Sequence, residues 1–458
     1  PEHTGEGRFG NWLENLVDWN LSRSRFWGTP LPIWRTADGS EEICIGSIEE
    51  LLSECKKSVA AGLMEASVLE ESGHGLDLHR PFVDDIILIS STGQPMYRET
   101  DLIDVWFDSG AMPYAQWGLN KNGGSSPFSE GFNHAYPADF IAEGVDQTRG
   151  WFFTLHAIST LLFDQIAFKN VVANGLVLDK NGNKMSKRLG NTVDPFATVE
   201  KYGADATRWY LIGNAAPWEN LKFDIEGLAE VQRKFFGTLY NTYSFFALYA
   251  NLDGYNNYET NRIAYKDLSE LDRWILSALN KLIAEVTESF DNYEPHVATR
   301  AIQDFVNDHL SNWYVRLSRR RFWKSESSDD KRAAFETLQH CLVVVSQLMS
   351  PVAPFFADWL YRNMTACVRD EAIKNNTPLR FDSVHLTQLV KVEAGHIDQE
   401  LLNRMDMAQR ICSLVLAIRK KEKIKVRQPL QKILIPVLDN ATEGRIEKVK
   451  DLILTEVN

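Results

Sequence analysis

Beyond about residue 262 the apolar residues recur at helical spacing, and this periodicity restricts the fold more than any other feature of the chain. Leu271, Ile275, Leu279, Leu282, Val286 and Phe290 fall three or four residues apart, and Phe335, Leu338, Leu342, Val345 and Leu348 do so again. Each set lays an apolar stripe along one face of a helix. Such a stripe must be buried against others, so a helical bundle is expected over residues 263–458. Upstream the pattern changes. Residues 136–141 read as a short parallel strand and 144–163 as a helix that starts polar and continues apolar. In open α/β sheets ligands bind beyond the carboxyl ends of the strands, and here that end carries Glu143 to Gln147.

The expected architecture is therefore α/β followed by all-α. We divide it into an α/β domain over 1–215, a connecting region over 216–262 with a polar linker at 251–261, and the bundle over 263–458. Within the first domain, 38–80 reads as a polar helical insertion. It opens on a capping box at Ser47-Ile-Glu-Glu50 and is followed by a strand over 82–90. Asp194-Pro195 suits a helix start and Gly203 a stop.

A net charge of −13 argues against a protein that coats nucleic acid indiscriminately, so any RNA contact must come from local basic patches. The five cysteines are widely spaced, with no Cys-x-x-Cys pair. Reduced thiols in a cytoplasmic protein are expected, with no metal site. The longest uncharged runs are too short to span a bilayer. The first residue is Pro1 and no leader pattern follows it, so the chain is expected to begin inside a longer protein.

Three stretches carry candidate chemistry. After the apolar run Gly175-Leu-Val-Leu178 and the turn dipeptide Asn181-Gly182 comes Asn-Lys-Met-Ser-Lys-Arg-Leu-Gly-Asn, with Lys184, Ser186 and Lys187. Such a loop reads either as a solvated surface turn or as a phosphate clamp. Residues 5–34 interleave Arg8, Arg23 and Arg25 with Trp12, Trp19, Phe26, Trp27 and Trp34. That suits stacking on an RNA end, or a short amphipathic helix with Trp12, Leu16 and Trp19 turned to the core. Between 312 and 323, Arg316 with Arg320 and Arg319 with Trp323 stand one helical turn apart, a face for phosphates and splayed bases or simply a solvated one. A second basic run, 419–427, reads more readily as a helix end.

Lys184-Met-Ser-Lys187 resembles the second signature of class I aminoacyl-tRNA synthetases. Ala142-Glu-Gly-Val-Asp-Gln-Thr-Arg-Gly-Trp151 is similar to the adenylate-binding stretch of the same family. Asp104-Val-Trp-Phe-Asp-Ser-Gly110 resembles the isoleucyl members in particular. The segment 18–32, together with Asn174 and Arg188, is closer in wording to their eukaryote-like branch. The resemblance implies a Rossmann-type nucleotide domain followed by an anticodon-binding bundle. It also implies ATP with Mg²⁺, isoleucine and tRNA(Ile) as partners of a soluble monomer.

By that likeness Lys184, Ser186 and Lys187 act on the ATP phosphates, while Glu143, Gly144, Asp146 and Gln147 hold the adenylate. Asp146 would accept from ribose hydroxyls, although it could equally cap a helix. Trp106 and Trp151 would wall the amino-acid pocket, and Arg23, Arg25, Arg316, Arg319, Arg320 and Trp323 would meet tRNA. The family's His-x-Gly-His signature and its editing insertion are not found. A fragment inactive by itself is therefore expected, with a valyl-type enzyme or a non-catalytic tRNA-binding module as the alternatives.

Overall fold

The computed structural model describes residues 1–69, 77–117, 134–255, 262–323, 328–379, 381–437 and 439–457. The chain divides into two units, Pro1–Asn174 and Gly175–Asn458.

In the first unit, wide turns over His3–Gly10 run into the short helix Asn11–Glu14. Trp12 and Trp19 pack against Phe153 at 6.3 and 5.9 Å between ring centroids. Leu16, expected beside them, is exposed, because the helix has already ended at Asn15. Then come Ser22–Arg23 (β1), Ile33–Thr36 (β2), Glu42–Cys44 (β3), the helix Ile48–Ala60 (α1), Ile87–Ile89 (β4), Pro95–Arg98 (β5) and Leu102–Ile103 (β6). Strands β3, β2, β5 and β4, in that order, form an antiparallel sheet. Residues at alternate positions of β2 and β5 are buried, as a sheet with one covered face requires. Trp34, Leu51, Cys55, Val83, Ile86, Leu88 and Met96 make its core. Among its described residues the insertion expected over 38–80 carries the helix α1 and the short strand β3, while β2, β4 and β5 lie outside it and β4 falls within the strand expected over 82–90. The expected capping box at Ser47 forms, with Ser47 Oγ accepting from Glu50 N at 3.1 Å. The Glu50 carboxylate reaches back one residue further than expected, to Gly46 N at 2.7 Å.

Val105–Ala115 (α2), Ile141–Gly144 (β7), Trp151–Phe163 (α3) and Val171–Asn174 (β8) complete the unit. Strands β7 and β8 are parallel, pairing Glu143 with Ala173 and Gly144 with Asn174. The strand begins later than expected, since Pro137 can donate no ladder hydrogen bond and only Ala138 bridges to Phe168. The helix expected from 144 is split into a tight turn, Val145–Arg149, and α3, with the break at Gly150. Helices α2 and α3 touch at Gly110, where a Cβ would stand 2.9 Å from the backbone of Thr154.

The second unit opens with Val177–Leu178 (β9), followed by Pro195–Tyr202 (α4) and Ala204–Asn214 (α5). Leu221–Lys222 (β10) pairs in parallel with β9. Helices Ile225–Val231 (α6), Gly237–Asp253 (α7) and Glu270–Asp291 (α8) follow. Pro295–Asp304 (α9) passes through the wider turns of Phe305–Val315 into Arg316–Trp323 (α10). Asp329–Met349 (α11), Pro354–Met364 (α12), Ala366–Asn375 (α13), Gln399–Lys421 (α14) and Asn440–Val457 (α15) end the chain. Asp194 caps α4 by accepting from Phe196 N and Ala197 N, and Gly203 ends it at φ +87°.

The periodic apolar positions of α8 and α11 lie in one large core. Trp209 of α5 stacks on Phe235 at 4.3 Å, and Leu239, Phe246 and Ala250 of α7 are buried in the same core. The two units meet at 174/175, and α5 and α7 share their apolar contacts with the bundle. Part of the expected linker is helix α7; residues 256–261 of it lie outside the described residues.

Candidate functional site

In the second unit the lysine loop is shaped by one carboxylate. The chain leaves β9 at Leu178, and Asp179 Oδ1 accepts from the backbone of Asn181 (2.9 Å) and Asn183 (2.8 Å). This closes the turn at Gly182, where φ is +87°. Asp179 Oδ2 accepts from the Asn191 amide at 3.0 Å. Asn191 in turn accepts from Ser186 N at 2.9 Å and donates to the Lys184 carbonyl at 3.3 Å. Both ends of the loop are thereby tied to one residue. The Asn191 amide and the Asn183 backbone hold the Asp179 carboxyl below its ordinary range, so the acceptor stays charged near neutrality.

Ser186 Oγ accepts from Leu189 N at 3.2 Å and caps a single turn, Lys187–Leu189, ended by Gly190 at φ +65°. The Ser186 hydroxyl hydrogen remains available to a ligand. Lys184 and Lys187 are exposed, whereas Met185 between them packs against the unit's core. Alternation across a clasped loop thus separates an anchored apolar residue from two cations presented to solvent. Gly175, at the foot of the loop, can carry no Cβ, which would stand 2.2 Å from the Glu219 carbonyl. Sequence reasoning misses Asp179 and Asn191. Asp followed four residues later by Asn is the local signal that could have found the first half of the clasp.

In the first unit, Glu143 and Gly144 are the last residues of β7, and Glu143 is exposed. Asp146 is exposed, accepts from Gln147 Nε2 at 3.1 Å and caps no helix, so the capping alternative does not hold. Gln147 Oε1 accepts from Trp151 N at 3.0 Å, which ties its amide to the start of α3. Trp151 Nε1 donates to the Ser109 carbonyl at 3.1 Å. The Trp106 ring stands over Gly150, 3.5 Å from where a Cβ would be, and is 41% exposed. The two tryptophans expected to wall a pocket are thus brought to the same end of α2 and α3.

Asp104, buried, is the hub behind them. It accepts from Trp106 N at 3.3 Å, Trp19 Nε1 at 3.0 Å and Arg23 at 2.6 Å. Arg23 also donates to the carbonyls of Asn20 and Ser22, so its half-buried guanidinium holds this loop. Arg25 is exposed. In the second unit Arg316, Arg319, Arg320 and Trp323 are all exposed, Trp323 by 56%, and Arg316 also pairs with Glu456 of α15. Among the described residues no group of three acidic, His or Cys side chains could hold a metal, and no helix is long and apolar enough to cross a membrane.

A family model described as tRNA synthetases class I (I, L, M and V) matches residues 1–224, and one described as the anticodon-binding domain of tRNA ligase matches 272–434. The chain belongs to the class I tRNA synthetases. Across its whole length it is 60% identical to the isoleucine–tRNA ligase of Cytophaga hutchinsonii and 59% identical to that of Bacteroides thetaiotaomicron. It spans about 40% of the length of these relatives. A further isoleucine–tRNA ligase, from Thermus thermophilus, is 43% identical over 95% of the chain. These relatives are bacterial, so the wording of 18–32, Asn174 and Arg188 does not mark a eukaryote-like branch. The fold is also that of the LeuRS of Agrobacterium radiobacter K84, solved as a ternary complex with tRNA and LeuAMS. The TM-score is 0.57 at 19% identity, covering 86% of this chain and 46% of that one.

Proposed function

We propose that this chain supplies the phosphate-binding loop, adenylate-binding stretch and tRNA-binding bundle of an isoleucine–tRNA ligase. The observation that carries the reading is the clasped loop, in which Asp179 and Asn191 shape a turn presenting Lys184 and Lys187. Activation joins the carboxylate of the amino acid to the α-phosphate of ATP and expels pyrophosphate, so no protein nucleophile is needed. Catalysis is then positioning and charge stabilisation. Lys184 and Lys187 meet the charge that grows on the β- and γ-phosphates, with Ser186 adding a hydroxyl donor and Mg²⁺ arriving with ATP as its counter-ion. Glu143, Gly144, Asp146 and Gln147 hold the adenylate, and Trp106 and Trp151 flank the isoleucine side chain. Arg25, Arg319, Arg320 and Trp323 contact tRNA, whereas Arg23 and Arg316 serve the fold.

The test is amino-acid-dependent ATP–pyrophosphate exchange by the full-length protein with isoleucine, valine and leucine. Strong exchange with isoleucine and weaker exchange with valine is expected. Preference for valine would favour a valyl-type enzyme, and no exchange with any of the three would leave a tRNA-binding module.

Two further outcomes follow from the loop. Asp179→Ala, which removes the clasp but neither lysine, is expected to lower kcat/KM for ATP about 10- to 100-fold, as misplacement of charged groups does. Isoleucine binding should be unchanged; equilibrium dialysis with labelled isoleucine checks it, and equal ATP kinetics would show that the clasp positions nothing. Gly175→Ala forces the backbone at Glu219 apart and is expected to destabilise the unit by about 1 to 3 kcal/mol, read from urea unfolding.

A further inference from the structure

We infer that the turn at the end of α14 is a second RNA contact, one that grips the phosphate backbone without reading bases. It deepens the reading of this chain as a tRNA-binding protein and rests on it. The observation is a buried arginine that builds the turn. Arg419 is 2% exposed, and its guanidinium donates to the carbonyls of Lys425 (3.1 Å) and Gln428 (2.9 Å). Ile424 N returns to the Arg419 carbonyl at 2.8 Å, and Lys423 takes φ +56°, a conformation uncommon outside glycine.

Burying a guanidinium is costly unless its donors are met, and here one terminal nitrogen donates to both carbonyls of a strongly basic turn. Lys420, Lys421, Lys423, Lys425, Arg427 and Lys432 are all exposed. Among the described residues none of the six enters an ion pair. Glu422 is the single acid between 419 and 432, in a chain whose net charge is −13.

A local reversal of charge of this size, held in a defined turn, fits a polyanion. The stretch 419–432 contains no aromatic residue to stack on a base, so it would meet phosphates, which set register without specifying sequence. RNA is favoured over an acidic protein or an anionic lipid surface because the turn lies inside the segment matched by the anticodon-binding model, 272–434.

The experiment measures the affinity of full-length protein for a tRNA(Ile) transcript from about 50 to 200 mM salt, where counterion release makes log K fall linearly with log salt. Lys421→Gln/Lys423→Gln/Lys425→Gln removes three exposed cations, and far-UV circular dichroism confirms that it is folded. Its slope is expected to be shallower than the parent's by about 2 to 3, at roughly 0.7 to 0.9 for each phosphate that is no longer neutralised. The weakening should be similar for tRNA of another anticodon. Parent and variant slopes that coincide would overturn this inference and leave the ligase reading intact. A parent that binds no tRNA would overturn both. A variant that loses binding only to vesicles of phosphatidylserine would assign the turn to a lipid surface instead.

Discussion

Lys187→Ala in the full-length protein is expected to lower isoleucine-dependent ATP–pyrophosphate exchange about 10²- to 10³-fold while leaving isoleucine binding nearly unchanged. Lys187 begins the short turn capped by Ser186, so its backbone is held at both ends of that turn while its side chain stays in solvent. A cation placed in this way gives little to the ground state. Its contribution rises as the bond to the α-phosphate breaks and charge collects on the leaving pyrophosphate, and it therefore enters kcat rather than amino-acid affinity. Lys187→Arg keeps the charge on a broader, planar head and should fall between parent and alanine variant. Exchange by Lys187→Ala at the parent rate would remove this lysine from the chemistry. A matched rise in the isoleucine dissociation constant would show instead that the loop shapes the amino-acid pocket.

Asp272→Ala is expected to destabilise the helical unit by about 3 to 5 kcal/mol, the range found when one partner of a buried ion pair is deleted. Asp272 is completely buried and accepts from the Tyr314 hydroxyl at 2.7 Å and from both terminal nitrogens of Arg321 at 2.7 and 2.6 Å. Burial first, and then the Asp272 charge, push the Tyr314 hydroxyl well above its ordinary range. For Arg321 burial is the largest influence and opposes the charged form, yet the hydrogen bonds to Asp272 together with the electrostatic pull of Tyr314, Asp272 and Asp330 outweigh it and hold it protonated. Alanine would leave a guanidinium whose side chain is only 13% exposed with Asp330 as its remaining carboxylate partner, at 2.9 Å. The melting temperature should fall by roughly 6 to 20 °C, at about 2 to 4 °C per kcal/mol for a unit of this size. Replacing Asp272 and Arg321 together by apolar residues should recover much of the stability, since no charge is then left unpaired. A single variant that melts with the parent would mean that water reaches the pair.

The expectations that held rest on neighbours in sequence. Ser47 and Glu50, or Asp194 and Phe196, lie within four residues of each other and meet whatever the rest of the chain does. The helical stripes of α8 and α11 are equally local, because 3.6 residues per turn sets which side chains share a face. Strands of two to four residues give a weaker signal, so β3 inside the expected helical insertion is missed and β7 is expected too early. The carboxylate partners of Arg23 and Arg316 escape the sequence for another reason. A cation beside aromatic residues looks alike in sequence whether it faces RNA or a carboxylate, and their partners, Asp104 and Glu456, lie far along the chain.

By itself the sequence determined the order of elements, an α/β part followed by a helical one, and the two motifs that place the chain among class I tRNA synthetases. It did so because caps, turns and apolar periods are settled within a few residues. Only the tertiary structure decided that α5 and α7 join the bundle, that Asp272 holds Arg321 across 49 positions, and that Asp104 and Arg23 brace the loop behind Trp106. Those choices depend on which groups lose water together, and desolvation is a property of the packed core that no local window of residues contains.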